Sequence, residues 1–280
     1  MDTTIQLADV TSELTREAEE QISDFLIGFV RVMQRGAVPD ASICGSGTLI
    51  EVDGMYGILT AQHVLETLPR EGEAELVVAT RLDRRPHKFP IRAEHRIEIE
   101  RGRIESEGPD LGLLIVAPAN VGWLKAKKSF YPLAHRREQM LRSPPDLRQG
   151  VWFVSGFPDE LTTDASPEAG YDRVKQFHAP IARVWVEEQH AAGDFDYLGF
   201  DVGYGGRNDP PGSFGGLSGG GLWQVPVVRS EQGVLAAGRP ILSGVIFYQS
   251  ERIENRRRIK CHGRRSIYGS LIDKIATARR

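Results

Sequence analysis

Apolar residues near the N-terminus recur with the period of a helix. Leu14, Ala18, Ile22, Leu26, Phe29, Val30 and Met33 share one face, while Glu17, Glu19, Glu20 and Asp24 mostly fall elsewhere. The spacing predicts an amphipathic helix over 9–34, ended by Arg35, Gly36 and Pro39. Such a helix ordinarily covers a core; the alternative is a docking or self-associating arm. From Ser42 onward the pattern shortens to β-like runs at 44–52, 55–61, 76–79, 91–100 and 111–117. Asp53-Gly54 separates the first two, and this pair favours a tight hairpin because both central residues take positive φ. Residues 118–149 are polar with scattered prolines and read as a connection. A second set of runs follows at 151–154, 181–186, 198–202, 222–228 and 241–248. Ile267, Leu271, Ile272 and Ile275 then predict a helix over 266–278. Many short strands with Gly-rich turns between helical ends indicate an all-β sandwich or barrel pair.

Composition narrows the class. The chain has 35 Lys plus Arg against 38 Asp plus Glu, so nothing in its overall charge points to nucleic acid. The basic run 252–265 is diluted by Glu251 and Glu254 and lacks an aromatic ladder, so it reads as a solvated loop. The two cysteines, Cys44 and Cys261, cannot make a disulfide framework, which favours a reducing compartment. Cys44 reads as a small buried hydrophobe, and Cys261, set among arginines, as a thiol whose pKa nearby cations would lower. Residues 1–20 lack a basic segment followed by an apolar one, and no stretch is apolar enough to span a bilayer. The expectation is a cytoplasmic protein with no membrane partner and no nucleic-acid partner.

Three segments carry chemistry. Leu59-Thr60-Ala61-Gln62-His63 puts a histidine just after a strand; Gly108-Pro109-Asp110 opens an apolar strand with an aspartate; Gly215-Gly216-Leu217-Ser218-Gly219-Gly220 sets a serine in a glycine turn. These are the parts that activate a serine. Its hydroxyl is a weak nucleophile until an imidazole takes the proton. The imidazole needs one tautomer and a carboxylate to stabilise its charged form. The developing oxyanion needs backbone N–H donors, which glycines allow to turn inward. The expected nucleophile is Ser218, the base His63, the orienter Asp110, and the oxyanion donors are the N–H groups of Gly216 and Ser218. Asp53, Asp194, Asp196 and Asp201 are rival carboxylates, and the remaining histidines, His262 among them, show no paired spacing and default to core or surface roles. No metal or organic cofactor is required.

In that order, His then Asp then Ser, the segments resemble the signatures of the trypsin-like serine proteases, each weak alone and more specific together. Cys44 to Ile50 resembles the strand preceding the histidine, Gly150 to Pro158 the opening of the second barrel, and Ser243 to Tyr248 the strand walling the primary specificity pocket. The resemblance covers roughly 40–275. It implies two six-stranded antiparallel β-barrels, the first supplying His63 and Asp110 and the second Ser218. The implied division is an N-terminal extension over 1–38, a peptidase-like domain over 39–265, and a C-terminal helix over 266–280. Within the domain the first barrel takes about 39–120, a linker about 121–148 and the second barrel about 149–265.

The departures from the family pattern also carry meaning. Leu217 stands where zymogen-activated members carry aspartate, so the resemblance is to the disulfide-poor, non-zymogen branch. Val64 replaces a cysteine that would pair near Cys44. Gly221 replaces proline. Gly212 sits where the family places the base of the primary pocket; with Phe247 and Tyr248 it is the expected pocket lining, and only Asp209 nearby is acidic. The implied activity is a serine endopeptidase acting on a protein or peptide, with regulation or self-association through the N-terminal helix. Three alternatives remain. One is an esterase using the same serine. Another is a catalytically silent two-barrel binding module. The third is an α/β-hydrolase, for which Gly216 to Gly220 fits G-x-S-x-G, but too little chain follows Ser218 for that order.

Overall fold

The computed structural model describes residues 10–35, 38–70, 73–78, 87–92, 95–99, 101–165, 174–186, 188–205, 210–229 and 235–280. The helix α1 (Ser12–Ser23) opens at Thr11, whose side chain accepts the Leu14 N–H as an N-cap. A first, mainly antiparallel sheet follows. It contains β1 (Leu26–Arg35), β2 (Val38–Val52), β3 (Met55–Thr60), β4 (Glu73–Val78), β5 (His87–Arg92), β6 (Arg96–Glu98), β7 (Gly112–Ile115) and the two-residue β8 (Tyr131–Pro132). Their order is β5-β4-β1-β2-β3-β7-β6, with β8 beside β2. The short helix α2 (Gln62–Thr67) leaves the end of β3. Helices α3 (Pro118–Lys125) and α4 (Arg137–Arg142) lie in the connection.

The second sheet is antiparallel. It takes β9 (Val151–Ser155), β12 (Ile181–Val184), β13 (Glu188–Ala192), β14 (Phe195–Gly203), β15 (Gly221–Val225), β18 (Ile241–Gln249) and β19 (Arg256–His262) in the order β12-β9-β15-β18-β19-β14-β13. Two hairpins, β10 (Thr163–Ala165) with β11 (Val174–Gln176) and β16 (Val227–Arg229) with β17 (Leu235–Ala237), stand apart from it. A π-helical segment, Ser266–Leu271, runs into α5 (Ile272–Ala278). The molecule is therefore all-β with short helical ends. The two sheets hold eight and seven strands, where the family pattern implies six each. Among the described residues no helix is long and apolar enough to cross a membrane.

The helix predicted over 9–34 stops at Ser23, and its second half is the strand β1. Leu26 and Val30 are buried in one cluster with Ile43, while Ile27 and Phe29 are buried in another with Leu49 and Ile58. A strand covered on both faces reads as a near-continuous apolar run, and such a run also satisfies helical spacing. Pairing to β2 and β4 decided the outcome. What remains of the helix covers a core: Leu14, Ala18 and Ile22 are fully buried with Phe153, Trp223 and Val225. Glu17 holds it there by accepting the Ala237 N–H at 3.1 Å.

The sheets meet along an aromatic seam. Phe25 stacks on Trp223 at 5.4 Å, Tyr131 meets the same indole edge-on at 5.5 Å, and the Tyr131 and Tyr268 hydroxyls lie 3.2 Å apart. The turn that leads into β15 packs against the end of β3, where Gly219 lies beside Thr60 and the Ser46 carbonyl.

Candidate active site

Thr60 ends β3 with its hydroxyl donating to the Ser46 carbonyl at 2.7 Å. Ala61 is extended and α2 begins at Gln62, which sets His63 at the second helical position. Asp110, 2% exposed, stands just before β7. Its carboxylate takes both donors that His63 offers: the backbone N–H at 2.9 Å and the ring Nδ1 at 2.6 Å. A carboxylate only accepts, so Nδ1 carries the proton and Nε2 is left as an acceptor. The ring keeps 26% of its surface exposed against 3% for the Asp110 side chain, so the imidazole is the outward end of the pair. Burial pushes the Asp110 pKa up most strongly. The His63 hydrogen bonds and charge, with the Arg101 guanidinium, outweigh it together and hold the carboxyl below its ordinary value. Arg101 Nε lies 3.9 Å from Asp110 Oδ2.

A second imidazole supports the aspartate from behind. The Asp110 N–H donates to His262 Nε2 at 2.9 Å. His262 is fully buried, and its Nδ1 has no partner. Phe247, Tyr197 and Phe195 surround it with ring centroids at 4.8, 5.2 and 6.0 Å. To accept from Asp110, His262 must stay neutral at Nε2. Burial, opposed by Asp110, lowers its pKa from 6.5 to about 4. The unfolded chain therefore takes up this proton near the ordinary value, whereas the folded chain resists until about pH 4. The stability tied to His262 is complete above the unfolded pKa and drains away between about 6.5 and about 4, by on the order of 3 kcal/mol. Urea midpoints measured across that range should fall less steeply with acid in His262→Gln than in the parent chain. Parallel pH curves would refute the assignment.

The turn around Ser218 is held by contacts on both sides of that residue. Gly216 and Gly219 have φ of +86° and +87°, which side chains rarely tolerate. A Cβ at Gly219 would strike Thr60 Oγ1 and the Ser46 carbonyl, so this turn sits directly on the segment leading to His63. Ser46, fully buried on β2, clamps the turn. Its N–H donates to the Ser218 carbonyl at 2.7 Å, its hydroxyl donates to the Gly216 carbonyl at 2.7 Å, and the same hydroxyl accepts the Phe157 N–H at 2.8 Å. Gly219 N–H donates to the Ile246 carbonyl at 2.7 Å. Among the described residues, the Gly216 and Ser218 N–H groups have no acceptor, so both are available to an external oxygen. Ser218 Oγ and His63 Nε2 make no hydrogen bond to each other. Ser46→Ala should cost about 1–3 kcal/mol of stability, because Phe157 N–H loses its one acceptor among the described residues in a buried place. Denaturant titration checks this; a loss below roughly 0.5 kcal/mol would deny Ser46 that role.

The expected pocket residues are dispersed. Gly212 is exposed, and its N–H and that of Ser213 donate to the Glu160 carboxylate at 3.0 and 2.6 Å. Phe247, 3% exposed, turns its ring onto His262 and belongs to the support beneath the dyad rather than to a pocket wall. Tyr248 is half-buried. Asp209 lies outside the described residues. Leu217 is buried in the second-sheet core. Cys44 and Cys261 are free thiols. The reading of Cys261 as an acidified thiol is overturned: it is fully buried, and burial raises its pKa far above the ordinary value. The basic run is no solvated loop throughout either, since half of it is β19, and buried Arg264 donates to Ser243 Oγ at 3.1 Å, to the Pro145 carbonyl at 2.7 Å and to Gln224. Among the described residues no three His, Cys, Asp or Glu side chains converge as a metal site.

His262, Ser46 and Arg101 are the members of the site that sequence reasoning missed. His262 meets Asp110 across 152 positions and Ser46 meets Gly216 across 170, and no local spacing encodes either contact.

No protein-family model matches the chain, and no curated protein matches it either. Among solved structures it is similar to the crystal structure of the Drosophila Grass clip serine protease of the Toll pathway. The identity is 14% and the TM-score 0.55, covering 93% of this chain and 71% of that one. At that identity the likeness shows the chymotrypsin-like fold.

Proposed function

We propose that the chain is a serine hydrolase of the endopeptidase kind, with Ser218 as nucleophile, His63 as general base and Asp110 as its orienter. The observation that carries this reading is the 2.6 Å contact from His63 Nδ1 to a buried carboxylate, which leaves Nε2 as the outward acceptor on a segment whose Thr60 lies against the Ser218 turn. Ser218 Oγ attacks the substrate carbonyl as its proton passes to His63 Nε2. The carbonyl oxygen, now negative, accepts from the Gly216 and Ser218 N–H groups. His63 then gives the proton to the leaving amine. Water, deprotonated by the same nitrogen, releases the acyl group and restores Ser218.

A fluorophosphonate probe, which reacts with activated serines, tests this reading. Intact mass should rise by one adduct located on Ser218, and Ser218→Ala should stay unlabelled. An unlabelled parent chain would leave the silent binding module as the better description. Cleavage of a peptide amide beside the matching ester separates the endopeptidase from an esterase.

A further inference from the structure

Arg257 is the second residue of β19, between two arginines that have a carboxylate. Arg258 pairs with Asp201 at 2.9 Å, and Arg256 approaches the same side chain at 3.8 Å. Strand alternation puts Arg257 on the opposite face, with the fully buried Ile259 and Cys261. There its Nη1 donates to Gln249 Oε1 at 2.6 Å, its Nε is buried with no partner, and among the described residues no carboxylate pairs with it. Glu160 accepts the Gly212 and Ser213 N–H groups on the loop that leads to Ser218. A half-buried guanidinium with an empty donor and no counter-charge is costly unless an anion completes it.

The place of this cation in the fold indicates which anion. Gln249 Oε1 also accepts the Phe214 N–H at 2.9 Å, joining the end of β18 to the loop that runs into Ser218. Phe214 in turn accepts the Leu217 N–H at 2.9 Å. Further back on the same strand, Ile246 accepts the Gly219 N–H at 2.7 Å. From Ile246 to Gln249 the strand advances about 10 Å, a span that a substrate carboxylate side chain and the long arginine side chain reaching toward it can share. We propose that Arg257 recognises a carboxylate side chain of the substrate, so that the site accepts an aspartate or glutamate on the acyl side of the bond cut. Arg252, stacked over Tyr204 at 4.1 Å, adds positive charge to the same end of the sheet. This inference rests on the Ser218 reading for its orientation.

The experiment compares product-like peptides, acetylated and identical except for a final Glu, Gln, Asp, Asn or Leu, binding to the full chain by calorimetry. Their terminal carboxylate is common to all, so differences report the side chain alone. The expected result is that Glu binds about tenfold or more tightly than Gln, and Asp than Asn, because a charge-assisted hydrogen bond is gained. Arg257→Gln should erase the preference and Arg257→Lys should keep part of it. Equal binding of Glu and Gln by the parent chain, or a preference that survives Arg257→Gln, overturns the proposal. Should Arg257→Gln fail to fold, the parent ratio and Arg257→Lys still decide. Fluorophosphonate labelling is scored separately. Labelling without an acidic preference overturns the Arg257 assignment alone; an acidic preference without labelling supports the assignment and overturns the catalytic reading.

Discussion

Ser218→Ala should lower kcat by several orders of magnitude, His63→Ala should do so to a similar degree, and the double variant should fall little further. The hydroxyl has no route to useful nucleophilicity without the imidazole, and the imidazole has no proton to take without the hydroxyl, so removing either removes the same step. Each variant keeps the free backbone N–H groups at positions 216 and 218, so a residual rate above the uncatalysed one is expected. Peptide turnover measured for the two single variants and the double decides the matter. Losses that multiply would mean the two side chains act in separate steps.

Asp110→Asn carries the second large effect, a fall of roughly 10³- to 10⁴-fold in kcat. The carboxylate accepts from His63 twice, at the backbone N–H and at Nδ1. An amide can turn its NH₂ toward Nδ1, which then must accept and leaves the proton on Nε2, the atom that has to receive one from Ser218. The variant also forfeits the charge that stabilises the imidazolium. The fold around it should change little, because His262 receives the backbone N–H of residue 110, which the substitution keeps. A near-unchanged melting temperature with a collapsed rate is the expected pairing; a rate loss under tenfold would give the orienting role to another group.

The site was legible in the sequence where its chemistry was local. His63 follows a strand, Asp110 opens one, and Ser218 sits among glycines that the turn requires at positions 216 and 219. What supports these residues was not legible. His262 looks like any strand histidine until β19 pairs with β18 and the Phe247 ring closes over it. Ser46 sits within a run that reads as a plain strand, and only the folded chain brings it against Gly216, Ser218 and Phe157. The resemblance of Ser243–Tyr248 to the family's pocket-walling strand puts Phe247 in the pocket, and the bulge between Ile246 and Tyr248 undoes a simple alternation there. The first helix is misread for a different reason: Leu26 to Val30 is apolar enough to suit either period, and two partner strands settled it.

A crystal structure of the chain after reaction with a peptidyl phosphonate shows whether the His63 imidazole and the Ser218 hydroxyl act on one carbonyl. Phosphorus should be bonded to Ser218 Oγ, with one phosphoryl oxygen about 2.7–3.1 Å from both the Gly216 and Ser218 nitrogens and His63 Nε2 within hydrogen-bond reach of the adduct. An adduct on another residue, or a Ser218 adduct whose oxygen points away from both nitrogens with His63 turned aside, would contradict that joint action.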